Sequence, residues 1–456
     1  MLAVALALPW FGGVMLALVD GRRRGAAWLA AGCLGLALGV LAVLLGMVIA
    51  DGPLEGVAGG WPSGVGITLR ADALGALFAL TSVAVLVSAL VYEVAAGIRS
   101  PRFPALVLLL ATGLTGLFLT ADVFSFYVFF ELSMIASYVL AAYGDKSRQL
   151  TAGFIFAVVN LLGSFLFLIG VAAIYHVTGS LDMATVAERL QGADSGIVLL
   201  IAVAIFVAFG VKLGLFPFHF WLPTVYTSAT PAVAAMLSGA VANIGSYGLL
   251  RFGAGVMPEA LQLGAPVLIG LGTASILYGA LQSVSRRSAA EVLAYSAVGQ
   301  AGYVLVTLSV AGAVGLTAAV VYAIANALNK ALLFLSLEVR GWAVGLVFAV
   351  GAFSVAGVPP TAGFFGKVEV FRAGVTEDSV ALVALLFLGG ALSFLYMFQI
   401  YQHDFWREQR RTPASGRLVQ AVPIVLMVLV VALGLWPEPL LRAGQEAAEA
   451  VQEGGP

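Results

Sequence analysis

Four ionisable side chains lie inside stretches otherwise apolar enough to cross a bilayer: Glu131 in FYVFFELSMIASYVL, Lys212 in AIFVAFGVKLGLFPFHFWLP, Lys330 in YAIANALNKALLFLSLEV and Lys367 in GVPPTAGFFGKVEVFRAG. A charge at bilayer depth costs ~2.5–3.5 kcal/mol on insertion scales, so such residues face a bundle interior or a wet cavity and mark ion pathways. The chemistry open to this set is proton transfer. A lone carboxylate in hydrocarbon holds its proton, because desolvation disfavours the charge, and a nearby ammonium offsets that cost. Lys212 is the candidate partner of Glu131. A lysine beside an ionised carboxylate keeps its charge, and one whose partner is withdrawn or neutralised gives up its proton, so a buried lysine is a switchable carrier. The plainer alternative is a static buried ion pair that fixes helix packing.

Lys330 shares a helix face with Asn326, four residues before it, and this narrow polar face fits a central relay. The competing reading is a lysine snorkelling to an interface, which the apolar flanks on both sides oppose. Lys367 follows the break at Gly357-Val-Pro-Pro360, where released backbone groups and water converge, and suits the exit of a path. Glu369, two residues on, points to another side of a helix and is not expected to pair with it. His219 and Tyr226 flank the loop after Gly214 and Pro217; a histidine at a mouth shuttles protons near neutral pH, or simply packs. Tyr295, Ser296, Gln300 and Tyr303 put hydroxyls and an amide along one helix, suited to holding water or to joining helices. Asp122 reads as the N-cap of the Glu131 helix.

These residues need membrane-spanning helices to position them. The 456 residues are 61% hydrophobic and 10% charged, far below the ~25% charged of soluble domains, so the chain reads as an all-α polytopic membrane protein. A net charge of −1 leaves no basic field for nucleic acid, and a single cysteine, Cys33, excludes an internal disulfide and any Cys-rich metal or iron–sulfur site. The three histidines, His176, His219 and His403, lack metal-ligand spacing, no nucleotide-binding glycine signature occurs in a strand–helix context, and no cofactor is expected. The first span is read as retained, since it lacks a basic n-region and a small-residue cleavage site.

About fourteen transmembrane helices are counted, two of them broken in their middles, roughly 195–223 and 343–374. A broken helix in each half points to an inverted-repeat transporter with its sites at the midplane. The chain divides into N-terminal helices over 1–103, a first repeat over 104–253, a second over 262–401, and a last helix with an acidic tail over 402–456. Alternating the helices puts Arg22 to Arg24, Arg99, Arg102, Lys146, Arg148, Arg286, Arg287, Arg340 and the Arg407–Arg411 cluster on one side. That side is the cytoplasm, and both termini then lie outside it.

The segments FFELSMIASYVL, GVKLGLFPFHFWLP, LAYSAVGQAGY, NKALLFL and SVAGVPPTAGFFGK together resemble the antiporter-like subunits shared by respiratory complex I, membrane-bound hydrogenases and Mrp-type cation/proton antiporters. WLPTVYTSATPAVAA and NLLGSFLFLIGVAAIYHVTGSLDMATVA are most similar to the D subunit of Mrp antiporters. The resemblance covers roughly 70–400. It implies fourteen helices with two inverted five-helix repeats, each holding a broken helix. It also implies a relay of Glu131, Lys212, the central Lys330 and the terminal Lys367.

The chain departs from that pattern at several positions. Asn243 stands where a lysine is usual, Asn326 where a histidine is usual, Tyr226 where complex I subunits carry a histidine, and Ala290-Glu291 where Lys-Arg is usual. The connection after Lys330's helix is shortened to Glu338-Val-Arg-Gly.

The resemblance implies a proton-translocating subunit of a multisubunit sodium/proton antiporter in the cell membrane, with other membrane subunits as partners. A secondary transporter, rather than an enzyme, is the leading expectation. The alternatives are a proton-pumping subunit of a redox enzyme whose electron carriers lie in partner chains, and a non-conducting scaffold, for which Asn243 is the best support. Among these residues no oxygen-ligand cluster suggests a dedicated sodium site.

Overall fold

The computed structural model describes residues 1–57, 66–144, 146–310, 312–339, 343–407 and 415–453. Most of the glycine-rich loop after Asp51, Arg340 and most of the Arg407–Arg411 cluster lie outside the described residues. The helices are α1 Leu2–Ala17, α2 Arg24–Asp51, α3 Ala73–Ala96, α4 Phe103–Phe118, α5 Val123–Ala141, α6 Ser147–Thr178, α7 Met183–Gln191, α8 Ser195–Leu213, α9 Trp221–Ser228, α10 Pro231–Met236 and α11 Asn243–Gly248. They continue with α12 Pro258–Ser285, α13 Ala289–Leu308, α14 Gly312–Ser336, α15 Val344–Ala356, α16 Ala362–Thr376, α17 Val380–Tyr401, α18 Arg417–Leu435 and α19 Glu438–Glu453. α10 and α11 form one segment, with π-helical turns at Leu237–Val241 and Leu249–Val256.

Among the described residues eleven helical segments are long and apolar enough to cross a membrane, and Leu2–Ala17, Phe103–Phe118 and Val344–Ala356 are shorter apolar helices. Length and composition alone therefore leave the count of fourteen open. The chain also forms one hairpin that the sequence did not announce: β1 Leu54–Val57 pairs antiparallel with β2 Thr68–Ala71, Leu54 opposite Ala71. The acidic tail is an amphipathic helix, α19, whose Leu440, Ala443, Ala447 and Val451 are buried against the bundle at helical spacing.

Aspartates start four of the helices by accepting hydrogen bonds from otherwise unpaired first-turn amides. Asp72 caps α3 through Gly75 N (2.8 Å), Asp122 caps α5 through Ser125 N (2.5 Å), Asp182 caps α7 through Thr185 N (2.9 Å) and Asp194 caps α8 through Ile197 N (3.1 Å). The Asp122 cap expected from the sequence is present.

Two segments form the centre: α14, and Pro231–Val256, each 94% buried over its most apolar window. They carry Lys330 and Asn243 respectively. Both broken helices end in the same way. In the first, Gly214 adopts a left-handed conformation (φ 69°), its N–H bonds Val211 O (3.2 Å), and Leu215 N bonds Gly210 O (3.1 Å). In the second, Gly357 (φ 83°) bonds Ser354 O (3.1 Å) and Val358 N bonds Phe353 O (2.9 Å). This paired closure satisfies carbonyls that the break would leave bare, and glycine alone takes the left-handed position without strain. The first break is anchored to the second half, since Phe216 N donates to Ser275 Oγ on α12 (3.1 Å).

A buried ion pair holds α3 to the Pro231–Val256 segment. Arg251 Nη2 lies 2.7 Å from Asp72 Oδ2, Arg251 Nε donates to the Tyr247 hydroxyl (3.1 Å), and that hydroxyl donates to Phe118 O (3.0 Å). Removing one member of such a pair strands the other charge, at a cost of ~3–5 kcal/mol. Asp72→Ala is expected to lower stability by about that amount, and adding Arg251→Met is expected to recover most of it. Thermal unfolding of the solubilised protein checks this; strictly additive losses in the double variant would show that the charges do not depend on each other.

Candidate functional site

The site is built from three lysines, each buried and none in an ion pair among the described residues. Lys212, in the last turn of α8 just before the first break, donates to Asn160 O (2.8 Å) and Ser164 Oγ (3.2 Å), both on α6. Its ammonium also stands 4.4 Å from the centre of the Phe130 ring. Lys330, fully buried in α14, donates to Leu293 O (3.2 Å) and Ser296 Oγ (2.9 Å) on α13. Lys367, on α16 beyond the second break, donates to Ala356 O (3.1 Å), a carbonyl released where α15 ends. The same design recurs: an ammonium held by neutral oxygens, two of the three beside a helix break.

Glu131 is the electrostatic neighbour of Lys212, yet the two make no ion pair; its Oε1 is buried without a hydrogen bond. The direct pairing anticipated between them is therefore not made among the described residues. Glu369 likewise does not meet Lys367. It faces Arg372, one turn on, at 3.6 Å.

The supporting residues separate into those that reach the lysines and those that do not. A small polar cavity beside Lys330 is lined by Asn243, Ser246, Asn326, Ser238 and Tyr226, and a mostly apolar gap beside Lys212, too narrow for a water, is lined by Asn160, Trp221 and Tyr226. Tyr226 and Ala242 belong to both walls and stand between the two spaces. Tyr226 donates its hydroxyl to Leu237 O (3.3 Å). Asn243 spends its amide N–H groups on Ser82 Oγ (3.0 Å) and Gly239 O (3.1 Å), reaching α3 rather than a lysine. Asn326 and Asn329 keep buried side-chain oxygens without partners.

Tyr295 turns away from Lys330. Its ring lies 6.3 Å from that of Tyr278 and carries the Arg286 guanidinium at 4.9 Å, because the helix face presented to Lys330 is the one holding Ser296, Gln300 and Tyr303. His219 packs on Tyr278 (ring centres 4.4 Å) with Nδ1 unbonded. Glu291, the unexpected acid, occupies the first turn of α13, where a carboxylate suits the helix dipole.

Sequence reasoning missed Asn160, Ser164, Tyr322, Ser393 and Tyr396. Ser393 and Tyr396 are three apart and Tyr322 is two turns before Lys330, so shared helix faces were the available signal. Among the described residues no group of three His, Cys, Asp or Glu is placed to hold a metal ion.

The family model described as NADH:quinone oxidoreductase/Mrp antiporter, TM, matches residues 120–341 and 336–393, a span containing all four charged residues and both breaks. The chain is 30% identical over 417 residues to the D subunit of the Na(+)/H(+) antiporter of Bacillus subtilis (strain 168), covering 85% of each. It superposes on a chain of the Mrp complex from Dietzia sp. DQ12-45-1b with a TM-score of 0.90 at 25% identity, over 99% of this chain and 98% of that one. A chain of respiratory complex I from Thermus thermophilus with bound Aureothin is similar at a TM-score of 0.78 and 26% identity, over 97% and 98%. By sequence and by fold, this multi-pass chain belongs to the NADH:quinone oxidoreductase/Mrp antiporter transmembrane family.

Proposed function

We propose that this chain is the proton-translocating membrane subunit of a multisubunit, Mrp-like antiporter that exchanges sodium for protons. It works with other membrane subunits and is driven by the membrane potential and the proton gradient. The observation that carries this reading is the string of three buried lysines, spanning both halves of the chain, that among the described residues donate to neutral oxygens and meet no carboxylate. A fixed structural charge would be expected to keep a counter-ion, whereas a proton carrier needs a state in which it is neutral. Glu131 sets the charge state of Lys212 from a distance, Lys330 is the central station, and Lys367 hands the proton to the far side. Tyr226, Asn243 and Asn326 line the crossing between the halves, where water in the cavity beside Lys330 bridges what the usual side chains would. His219 and Glu369 serve the two ends.

The relay lies in the two inverted repeats over 104–253 and 262–401, flanked by 1–103 and 402–456, in the cell membrane with both termini outside the cytoplasm. The matching closure of the two broken helices supports the repeat assignment.

A second reading, a proton-pumping subunit of a redox complex, is favoured by the likeness to the complex I chain. Sodium/proton exchange in vesicles holding the whole complex separates the two. Lys212→Ala is expected to reduce pH-gradient-driven exchange at least tenfold while the complex stays assembled. Exchange that survives makes Lys212 a structural charge and favours a scaffold, and transport that needs an electron donor favours the redox pump. The same reading predicts that Lys330→Met, which removes a costly buried charge, leaves stability unchanged or raises it by roughly 1–4 kcal/mol. A lower unfolding temperature for Lys330→Met in detergent would mean that the charge is there to hold the fold.

A further inference from the structure

The histidine usual four residues before the central lysine is absent, and Asn326 in its place has a side-chain oxygen with no partner. A different set of groups fills the space between Lys330 and Lys367. Lys330 Nζ donates to Ser296 Oγ (2.9 Å), Ser296 Oγ lies 3.0 Å from the Tyr396 hydroxyl, and Tyr396 donates to Ser393 Oγ (3.2 Å). The buried Tyr303 hydroxyl comes next. It lies near Ser393 without a bond of hydrogen-bonding geometry, and the Lys367 ammonium stands 5.4 Å from its ring centre.

The α17 face carrying Ser393 and Tyr396 is shaped for this. A side-chain carbon at Gly389 would collide with the Tyr303 hydroxyl, and one at Gly390 would sit 3.7 Å from Lys367 Nζ. Gln300 steadies the middle: its amide donates to the Tyr396 hydroxyl (3.2 Å), and its oxygen accepts from Tyr322, which fixes which way the amide faces. All of these polar side chains on α13, α14 and α17 are buried.

We propose that a hydroxyl wire, Ser296, Tyr396, Ser393 and Tyr303, carries the proton between Lys330 and Lys367, with Gln300 and Tyr322 as positioning residues. The inference rests on the proton-relay reading above and assigns its second leg. Lys330 gives a proton to Ser296 Oγ as Ser296 passes its own to Tyr396, Tyr396 passes its own to Ser393, and Ser393 passes its own to Tyr303. Tyr303 then delivers its hydroxyl proton to neutral Lys367. Each hydroxyl gains one proton and loses one, Lys330 ends neutral and Lys367 ends charged, and rotation of the hydroxyls resets the wire. For the last hops Ser393 swings its O–H from Gly389 O, which it now bonds (2.7 Å), to Tyr303, and Lys367 releases Ala356 O and moves on its flexible stem towards Tyr303.

The test is dissipation of an imposed pH gradient on adding sodium to proteoliposomes of the whole complex, with assembly checked on native gels. Tyr396→Phe and Ser393→Ala are each expected to slow exchange at least tenfold in assembled complex, whereas Ser393→Thr, which keeps the hydroxyl, stays within about threefold of wild type. Loss of a packing contact would not separate Thr from Ala in this way. Should Tyr396→Phe fail to assemble, Tyr303→Phe decides, because the hydroxyl it deletes makes no hydrogen bond that the fold relies on; a tenfold loss is expected there too. Wild-type rates in these variants, with Lys330→Ala inactive, overturn the wire and leave the relay standing. Wild-type exchange in Lys330→Ala overturns both.

Discussion

The structure depends on keeping ammonium groups inside a bilayer where, among the described residues, none has a counter-ion within ion-pair distance. Each of Lys212, Lys330 and Lys367 is surrounded by helix, and among the described residues each donates to carbonyl or hydroxyl oxygens. Neutral acceptors satisfy the ammonium donors without supplying a countercharge. The contrast is internal to the molecule. Arg251, equally buried, is paired with Asp72 at 2.7 Å and bonded to Tyr247, as expected of a charge whose purpose is to stay.

The helix breaks follow from the same constraint. A continuous helix spends its carbonyls on itself, and only where it stops do backbone oxygens become free to meet a side chain. At the second break the freed Ala356 carbonyl receives Lys367. At the first, Val211 O accepts from the Trp221 indole (3.1 Å), so the break is sealed while Lys212 turns to α6. Left-handed Gly214 and Gly357 close both ends by the same pair of backbone bonds. Between the π-helical turns that flank it, Asn243 lines the cavity at Lys330 with Ser238 and Ser246 while its amide reaches Ser82 on α3.

The lysines and breaks were legible in the sequence because both signals are local: a charge in an apolar run, and glycine with proline where a helix should continue. What was not legible is non-local. Asp72 and Arg251 are 179 residues apart, and only the folded bundle brings them together. Tyr396 looks like any aromatic in a span until Ser296, 100 residues earlier, is found beside it. Tyr295 was grouped with Ser296, yet neighbours on a helix point about 100° apart, so a face that turns Ser296 to Lys330 must turn Tyr295 elsewhere. In the last helix the spacing of Leu440, Ala443, Ala447 and Val451 was readable, and the weight of acidic residues concealed it.

The account stands on the lysines being able to lose their protons. Arginine keeps the charge and the donors but stays protonated under all conditions a protein meets. The decisive measurement is therefore sodium/proton exchange by assembled complex carrying Lys330→Arg in proteoliposomes under an imposed pH gradient. The account predicts exchange at least tenfold below wild type despite the retained charge. Exchange at the wild-type rate would contradict it, because a fixed charge at the centre of the second half would then suffice.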